Sequence, residues 1–128
     1  MKALVVDDSK LVRQIELAVF AKIGGVEVDE AEDGADALEK LTKNKYDIVL
    51  LDWMMPKMTG EQLLREIRGA NGPNKDTPVL MVTAEAERSK ILTMIPLKIN
   101  GYVTKPFTTE LLQEKIKAII GKKKIVLG

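Results

Sequence analysis

The sequence predicts an α/β domain, a doubly wound, five-stranded parallel sheet with helices on both faces. Three observations carry that expectation. Short apolar runs alternate along the chain with longer stretches whose apolar residues recur at helical spacing. The run Ile48-Val49-Leu50-Leu51 is apolar throughout, as in strands covered on both faces. Length and composition supply the third, since 128 residues, 45% hydrophobic and 30% charged, suffice for one soluble domain with its own core and not for two.

Leu4-Val5-Val6 reads as the first strand, and Leu11, Val12, Ile15, Ala18, Val19 and Phe20 then recur at helical spacing until Gly24-Gly25. Val26 and Val28 alternate with acidic residues as a weaker second strand, and Ala37, Leu38 and Leu41 mark a short helix behind Asp33-Gly34. Ile48 to Leu51 is the third strand, expected at the centre of the sheet. Gly60 opens a helix carrying Leu63, Leu64 and Ile67. The Gly-, Asn- and Pro-rich stretch from Gly69 to Pro78 is a loop before the fourth strand, Val79-Leu80-Met81-Val82. A fourth helix from about Glu85 should turn Ile91, Leu92 and Ile95 inward and stop early, because Pro96 lacks the N–H that a longer helix needs. Tyr102-Val103-Thr104 is the fifth strand. Leu111, Leu112, Ile116, Ile119 and Ile120 make a last amphipathic helix closed by Gly121, which leaves residues 122–128 as a basic and apolar C-terminal tail behind a domain of residues 1–121.

Twenty Lys and Arg against nineteen Asp and Glu leave a formal charge of +1, so no global field favours nucleic acid or an anionic membrane. The chain has no Cys and no His, which removes disulfides, thiol nucleophiles, Cys/His zinc sites and every mechanism with a histidine base. Carboxylate, hydroxyl and lysine chemistry remain. The first apolar run, Ala3 to Val6, is too short for an export signal and no run is long enough to span a membrane, so the expected location is the cytoplasm.

In an open α/β sheet, ligands gather outside the carboxyl ends of the strands. There the sequence places Asp7 and Asp8 after the first strand, Asp52 after the third, Thr83 after the fourth and Lys105 after the fifth. Each alone has a plainer explanation: Asp8-Ser9 is a good helix cap, Asp52 a turn former and Lys105-Pro106 an ordinary turn. Their joint placement does not, because three carboxylates crowded at one edge repel unless a cation lies among them. An all-oxygen donor set suits a hard divalent ion, with Mg2+ the usual one where a phosphoryl group completes the coordination. An aspartate attacking phosphorus forms an acyl phosphate, and Lys105, the Thr83 hydroxyl and backbone N–H groups can meet the charge on its oxygens.

Five segments carry a resemblance to a known family: Leu4-Val5-Val6-Asp7-Asp8-Ser9, Glu32-Asp33-Gly34-Ala35-Asp36-Ala37-Leu38, Asp47-Ile48-Val49-Leu50-Leu51-Asp52-Trp53-Met54-Met55-Pro56, Pro78-Val79-Leu80-Met81-Val82-Thr83-Ala84-Glu85 and Gly101-Tyr102-Val103-Thr104-Lys105-Pro106-Phe107. Together they resemble the receiver domains of two-component response regulators, especially the single-domain chemotaxis type, over almost the whole chain. The strand order 2-1-3-4-5 of this flavodoxin-like fold comes with the resemblance and is not read from the chain's own periodicity.

The resemblance implies a phosphorylation-activated signalling switch rather than an enzyme with a substrate to turn over. Asp52 would accept a phosphoryl group from a sensor histidine kinase, and the domain would catalyse only its own phosphorylation and dephosphorylation. Asp8 and Asp52 would hold Mg2+, Asp7 would act through water, and the Met54 backbone carbonyl would add a ligand. Lys105, followed by a cis peptide to Pro106, would bridge to the phosphoryl group, while the Thr83 hydroxyl and the Ala84 N–H bind its other oxygens. Tyr102 would be the aromatic switch that follows Thr83. An output protein would dock on the face of the fourth helix, fifth strand and last helix, where Ile91, Ile95, Tyr102, Thr104 and Phe107 are the candidates. Two other classes share part of the pattern. A metal-dependent phosphohydrolase also forms an aspartyl phosphate but carries its nucleophile after the first strand in an Asp-x-Asp pattern, whereas here the pair is adjacent. A pseudo-receiver that only docks has no use for the intact set Asp8, Asp52, Thr83 and Lys105.

Overall fold

The computed structural model describes residues 1–69, 71–84 and 89–127, without the side chains of 122–127. Strands β1 (Lys2–Val6), β2 (Glu27–Ala31), β3 (Ile48–Asp52), β4 (Val79–Ala84) and β5 (Gly101–Lys105) alternate with helices α1 (Lys10–Ile23), α2 (Gly34–Lys43), α3 (Gly60–Gly69), α4 (Ile91–Met94) and α5 (Thr109–Leu127). All pairings are parallel, in the order β2-β1-β3-β4-β5. β3 is central and buried along its whole length, which is why its sequence is apolar without alternation. The chain crosses from β2 back over β1 to β3, so strand order reverses between β1 and β3 and their carboxyl ends flank the resulting crevice.

Alternation along each strand divides the core into two layers. Leu4, Val6, Val49, Leu51 and Met81 face α2, α3 and α4, against Leu41, Leu63, Leu64, Ile67 and Met94. Ala3, Val5, Leu50, Val82 and Val103 face the opposite way, against Val19 and Phe20 of α1 and Leu112, Ile116 and Ile120 of α5. Caps fix where the helices begin. Ser9 Oγ accepts from the Val12 N–H at 3.2 Å and Asp33 Oδ1 from the Asp36 N–H at 2.8 Å. Thr59 and Gln62 exchange reciprocal bonds of 2.8 and 3.1 Å, a capping box at the head of α3. α1 ends at Gly24, whose φ of +82° only glycine adopts without strain. At the amino ends of the strands the buried Asn74 donates to the Leu41 and Asn44 carbonyls, both 2.6 Å, and accepts the Tyr46 N–H at 2.8 Å, so the Gly- and Asn-rich loop is pinned to the core.

Three expectations need correction. Ile91 is buried as expected, but Leu92 is 72% exposed and Ile95 57% exposed, and Met94 fills the inward position instead. α4 has four residues and packs through the Ile91/Met94 pair, three apart; Leu92 lies a further part-turn round, and Ile95 begins a 3-10 turn, Ile95–Leu97, that carries Pro96 in its first positions. Residues 85–88, where that helix was expected to start, lie outside the described residues. On α1, Leu11 and Ala18 face solvent, and the inward positions are Glu16, Val19 and Phe20. Gly121 does not close α5, which runs on to Leu127: a Cβ at Gly121 would meet nothing, and an interior glycine costs a helix only about 1 kcal/mol. Among the described residues no helix is long and apolar enough to cross a membrane.

Gly60 is the residue that brings α3 close under the end of β3. Its N–H donates to the Trp53 carbonyl at 2.8 Å, and a Cβ there would collide with the Asp52 carbonyl. Gly69, at the other end of α3, has open space around it. Gly60→Ala should therefore lose about 1–3 kcal/mol in chemical unfolding, while Gly69→Ala should be neutral or slightly stabilising. Equal effects at the two positions would remove the close approach as the cause.

Candidate functional site

β1, β3 and β5 end on residues directed to the same layer. Asp7 follows Val6, Asp52 is the last residue of β3 and Lys105 the last of β5. Each stands two residues beyond a side chain of the α1/α5 layer, Val5, Leu50 and Val103 respectively. Asp7 and Asp52 are buried, and Asp8 beside them is exposed. One oxygen from each of these three carboxylates lies within 4.8 Å of the others, as a shared cation would require.

Lys105 closes the cluster. Its Nζ donates to Asp7 Oδ2 at 2.8 Å and stands 3.4 Å from Asp52 Oδ2. To get there it crosses the end of β4, where its register partner is Ala84 and a methyl group leaves room. The Lys105-Pro106 peptide is cis. Asp7 is held further by the Ser9 N–H on its Oδ1 at 2.9 Å, and its backbone carbonyl accepts from Arg13 Nη1 at 2.6 Å. Arg13 is in turn paired with Glu30 at 3.0 Å, which fixes α1 against the ends of β1 and β2.

Burial pushes the Asp52 carboxyl up to about 6 and the charge of Asp7 adds to the shift, while Lys105 and the Met54 backbone N–H oppose it. Crowding thus contributes as expected, but burial is the larger cause. Burial would lower the Lys105 ammonium; its hydrogen bond to Asp7 and the charges of Asp52 and Asp7 outweigh that, and its pKa is raised. Asp52 accordingly has carboxylate character at neutral pH in a place that resists it.

Thr83 and Tyr102 lie elsewhere. Thr83 is buried near the end of β4, two residues beyond Met81 and so on the α2–α4 side of the sheet, and its hydroxyl donates to the Ala84 carbonyl over a long 3.4 Å. Tyr102, paired with Met81 in register, is half-buried against that same layer. Thr83 and Tyr102 therefore sit on one face of the sheet, and the carboxylates and Lys105 on the other. The Met54 side chain is exposed. Of the expected docking residues, Ile95 is exposed, Tyr102, Thr104 and Phe107 are half-buried, and Ile91 belongs to the core.

Two features escape the sequence reading. Glu16 is buried beneath the cluster on the inner face of α1, and burial first, then the charge of Asp7, holds its carboxyl well above the usual range. Its position in an otherwise apolar helical stripe was the available signal. Trp53, next to Asp52, is covered by Lys90, whose Nζ lies 4.2 Å from the ring centroid. No pattern in the sequence pairs those two.

The family described as response regulator receiver domain matches residues 3–117 of this chain. The chain belongs to that family. Chemotaxis protein CheY of Pseudomonas aeruginosa is 45% identical over 119 residues, which cover 93% of this chain and 95% of that protein. The receiver domain of AraT, a response regulator of Geobacillus stearothermophilus, superposes with a TM-score of 0.88 at 27% identity, covering 99% of this chain and 98% of that one. The receiver domain of a sensor histidine kinase from Pseudomonas aeruginosa superposes with a TM-score of 0.81 at 27% identity over 94% of this chain and 97% of its own, and was solved with a magnesium ion coordinated in its active-site cleft. This is thus a receiver domain of the CheY type, with the flavodoxin-like fold and strand order that the resemblance implied, and its family is one of phosphorylation-dependent signalling switches.

The raised pKa of Asp52 in this receiver domain has a consequence for stability. Between the ordinary carboxylate value of 3.8 and about 6, the native state holds a proton that the unfolded chain releases. The stabilisation is complete below 3.8 and is lost as pH rises through 6. In EDTA, Asp52→Asn should therefore be more stable than wild type by on the order of 2 kcal/mol at pH 7, with the advantage shrinking toward zero near pH 4. Urea unfolding across that range checks it; an advantage independent of pH would assign the effect to shape and not charge.

Proposed function

We propose that the domain accepts a phosphoryl group on Asp52 from the phosphohistidine of a sensor histidine kinase and thereby changes its affinity for an output protein. The observation that carries this reading is the juxtaposition at one sheet edge of Asp52, two further carboxylates within 4.8 Å and a lysine ammonium. These 128 residues hold no histidine, so a phosphohistidine donor lies outside them. In the transfer, an Asp52 Oδ atom bonds to phosphorus, the P–N bond breaks and the electron pair leaves with the imidazole nitrogen.

The donor set fits Mg2+: the three carboxylates supply hard oxygens, and these 128 residues hold no imidazole or thiolate. The magnesium ion in the cleft of the neighbouring kinase receiver domain supports the same assignment. Asp8 and Asp52 would hold the ion, with Asp7 through water and the Met54 carbonyl as a further ligand. When bound, the ion supplies charge neutralisation at the phosphoryl oxygens. Lys105 is placed to follow Asp52 onto the phosphoryl group, since its ammonium is already within 3.4 Å of the accepting carboxylate. The Ala84 N–H and the Thr83 hydroxyl would meet the remaining oxygens, the hydroxyl by giving up its long bond to the Ala84 carbonyl. Thr83 then leaves space on the α2–α4 side that Tyr102 can enter, which carries the change to the α4/β5/α5 face. Residues 1–121 would form the functional unit, with 122–128 outside it.

Incubation with acetyl phosphate and Mg2+ should add one phosphoryl group to the intact mass, and EDTA or Asp52→Asn should abolish it. An unaltered signal from Asp52→Asn would move the acceptor elsewhere. Mg2+ should also change the fluorescence of Trp53, directly after Asp52 in sequence; Asp8→Asn should weaken that titration by more than about tenfold. Thr83→Ala should leave Asp52 phosphorylatable while weakening phosphate-dependent partner binding.

A further inference from the structure

Glu16 is a carboxyl where the packing asks for a hydrocarbon. It shares the inner face of α1 with Val19 and Phe20, is 1% exposed, and its Oε1 has no hydrogen-bond partner among the described residues. A leucine would fill that volume without an unpaired buried oxygen, whose burial carries the full desolvation penalty. The surroundings are those of the reacting cluster. Arg13, one turn earlier on α1, is bonded to the Asp7 carbonyl at 2.6 Å, so this stretch of the helix is pinned to the end of β1. The charges that act on Glu16 are, in order, those of Asp7, Lys105, Asp52 and Arg13.

Lys105 brings three N–H donors to the cluster and its two neighbouring acceptors are Asp7 Oδ2 and Asp52 Oδ2. Both belong to the carboxylates that a divalent ion and a phosphoryl group would engage. Once Asp7 is drawn to the ion, the ammonium that follows Asp52 onto the phosphoryl group has a further N–H to place, and Glu16 Oε1 is the unpaired buried acceptor among the described residues of that layer. A carboxyl oxygen can accept whether or not the group carries its proton.

We infer that Glu16 is a positioning residue for Lys105, the buried acceptor that keeps the ammonium beneath Asp52 while the ion and the incoming phosphoryl group engage Asp7 and Asp52. The inference rests on the phosphoacceptor reading of the site. It accounts for a polar atom retained in an apolar stripe at the expense of stability.

The test measures phosphorylation of the full chain by acetyl phosphate at saturating Mg2+, followed by intact mass, together with thermal melting. Glu16→Leu should melt higher than wild type yet be phosphorylated about tenfold more slowly. Glu16→Gln, which keeps an acceptor oxygen and the shape, should recover most of the rate. In a Lys105→Met background, Glu16→Leu should slow the reaction no further, because the group it would position is gone. The inference is overturned by any of three results: a wild-type rate in Glu16→Leu, a Glu16→Gln as slow as Glu16→Leu, or an undiminished effect of Glu16→Leu without Lys105. A wild-type chain that takes up no phosphoryl group at all overturns the phosphoacceptor reading, and this inference with it.

Discussion

One ammonium holds the carboxyl edge of this sheet together. Asp7 and Asp52 are both buried, the charge of Asp7 adds to what burial costs the ionised Asp52, and Lys105, reaching over the end of β4, is the cation between them. Removing the lysine would leave two buried carboxylates uncompensated, whereas removing Asp52 leaves Asp7 and Lys105 still paired. The fold exists to make that convergence possible. Only parallel strands bring β1, β3 and β5 to the same edge with the same facing, and Lys105 of the edge strand reaches Asp52 of the central one past Ala84, its register partner on β4. Gly60 draws α3 up under Asp52, and Arg13 ties α1 to Asp7, so both walls of the crevice are fixed to the carboxylates themselves.

In the proposed switch, alternation on β4 separates two jobs that must nevertheless communicate. The carboxylates and Lys105 lie in the α1/α5 layer, while Thr83 and Tyr102 lie in the α2–α4 layer. The sheet between them is closely packed and transmits no graded deformation. What joins the layers is the end of β4, where Ala84 pairs with Lys105 and Thr83 with Thr104 one residue earlier. In the proposed switch, a new charge at Asp52 acts across the sheet by recruiting groups of the Thr83-Ala84 segment. The Thr83 hydroxyl is suited to this because its present bond, 3.4 Å to the adjacent carbonyl, is weak and easily exchanged.

Most of the architecture was legible because it rests on periodicity and punctuation. The apolar run of β3, the caps at Ser9 and Asp33 and the stop at Gly24 are local signals, and the structure uses them as such. The carboxylates and Lys105 were legible because strand ends in an α/β sheet converge whatever the details of packing. Where the reading failed, tertiary geometry decides. Leu92 and Ile95 fit an inward helical stripe only if the helix is long enough to have one, and α4 is a single turn followed by a 3-10 turn. Glu16 was passed over because a carboxylate at an inward position contradicts the very pattern used to find the helix. The cation–π contact of Lys90 with Trp53 joins residues far apart in sequence and leaves no periodic trace.

The distribution of satisfied and unsatisfied polar groups gives the molecule a direction. At the amino ends of the strands, Asn74 uses its amide and carbonyl fully, and the Tyr46 hydroxyl donates to Asp29 at 2.7 Å. At the carboxyl ends, two buried aspartates share one lysine, and Glu16 Oε1 and Trp53 Nε1 lack partners among the described residues. Buried polar groups cost least when every bond is made and most when some are missing. The amino end of the sheet is therefore the rigid base, and the carboxyl end carries a deficit that a bound cation or anion can relieve. A ligand that binds there stabilises the native state by whatever part of the deficit it removes, so affinity is built from stability the empty fold forgoes. Because the deficit lies in side chains hung on fixed strand ends, relief need not unfold anything: it re-partners Lys105, Asp7 and the end of β4, and the last of these borders the opposite layer.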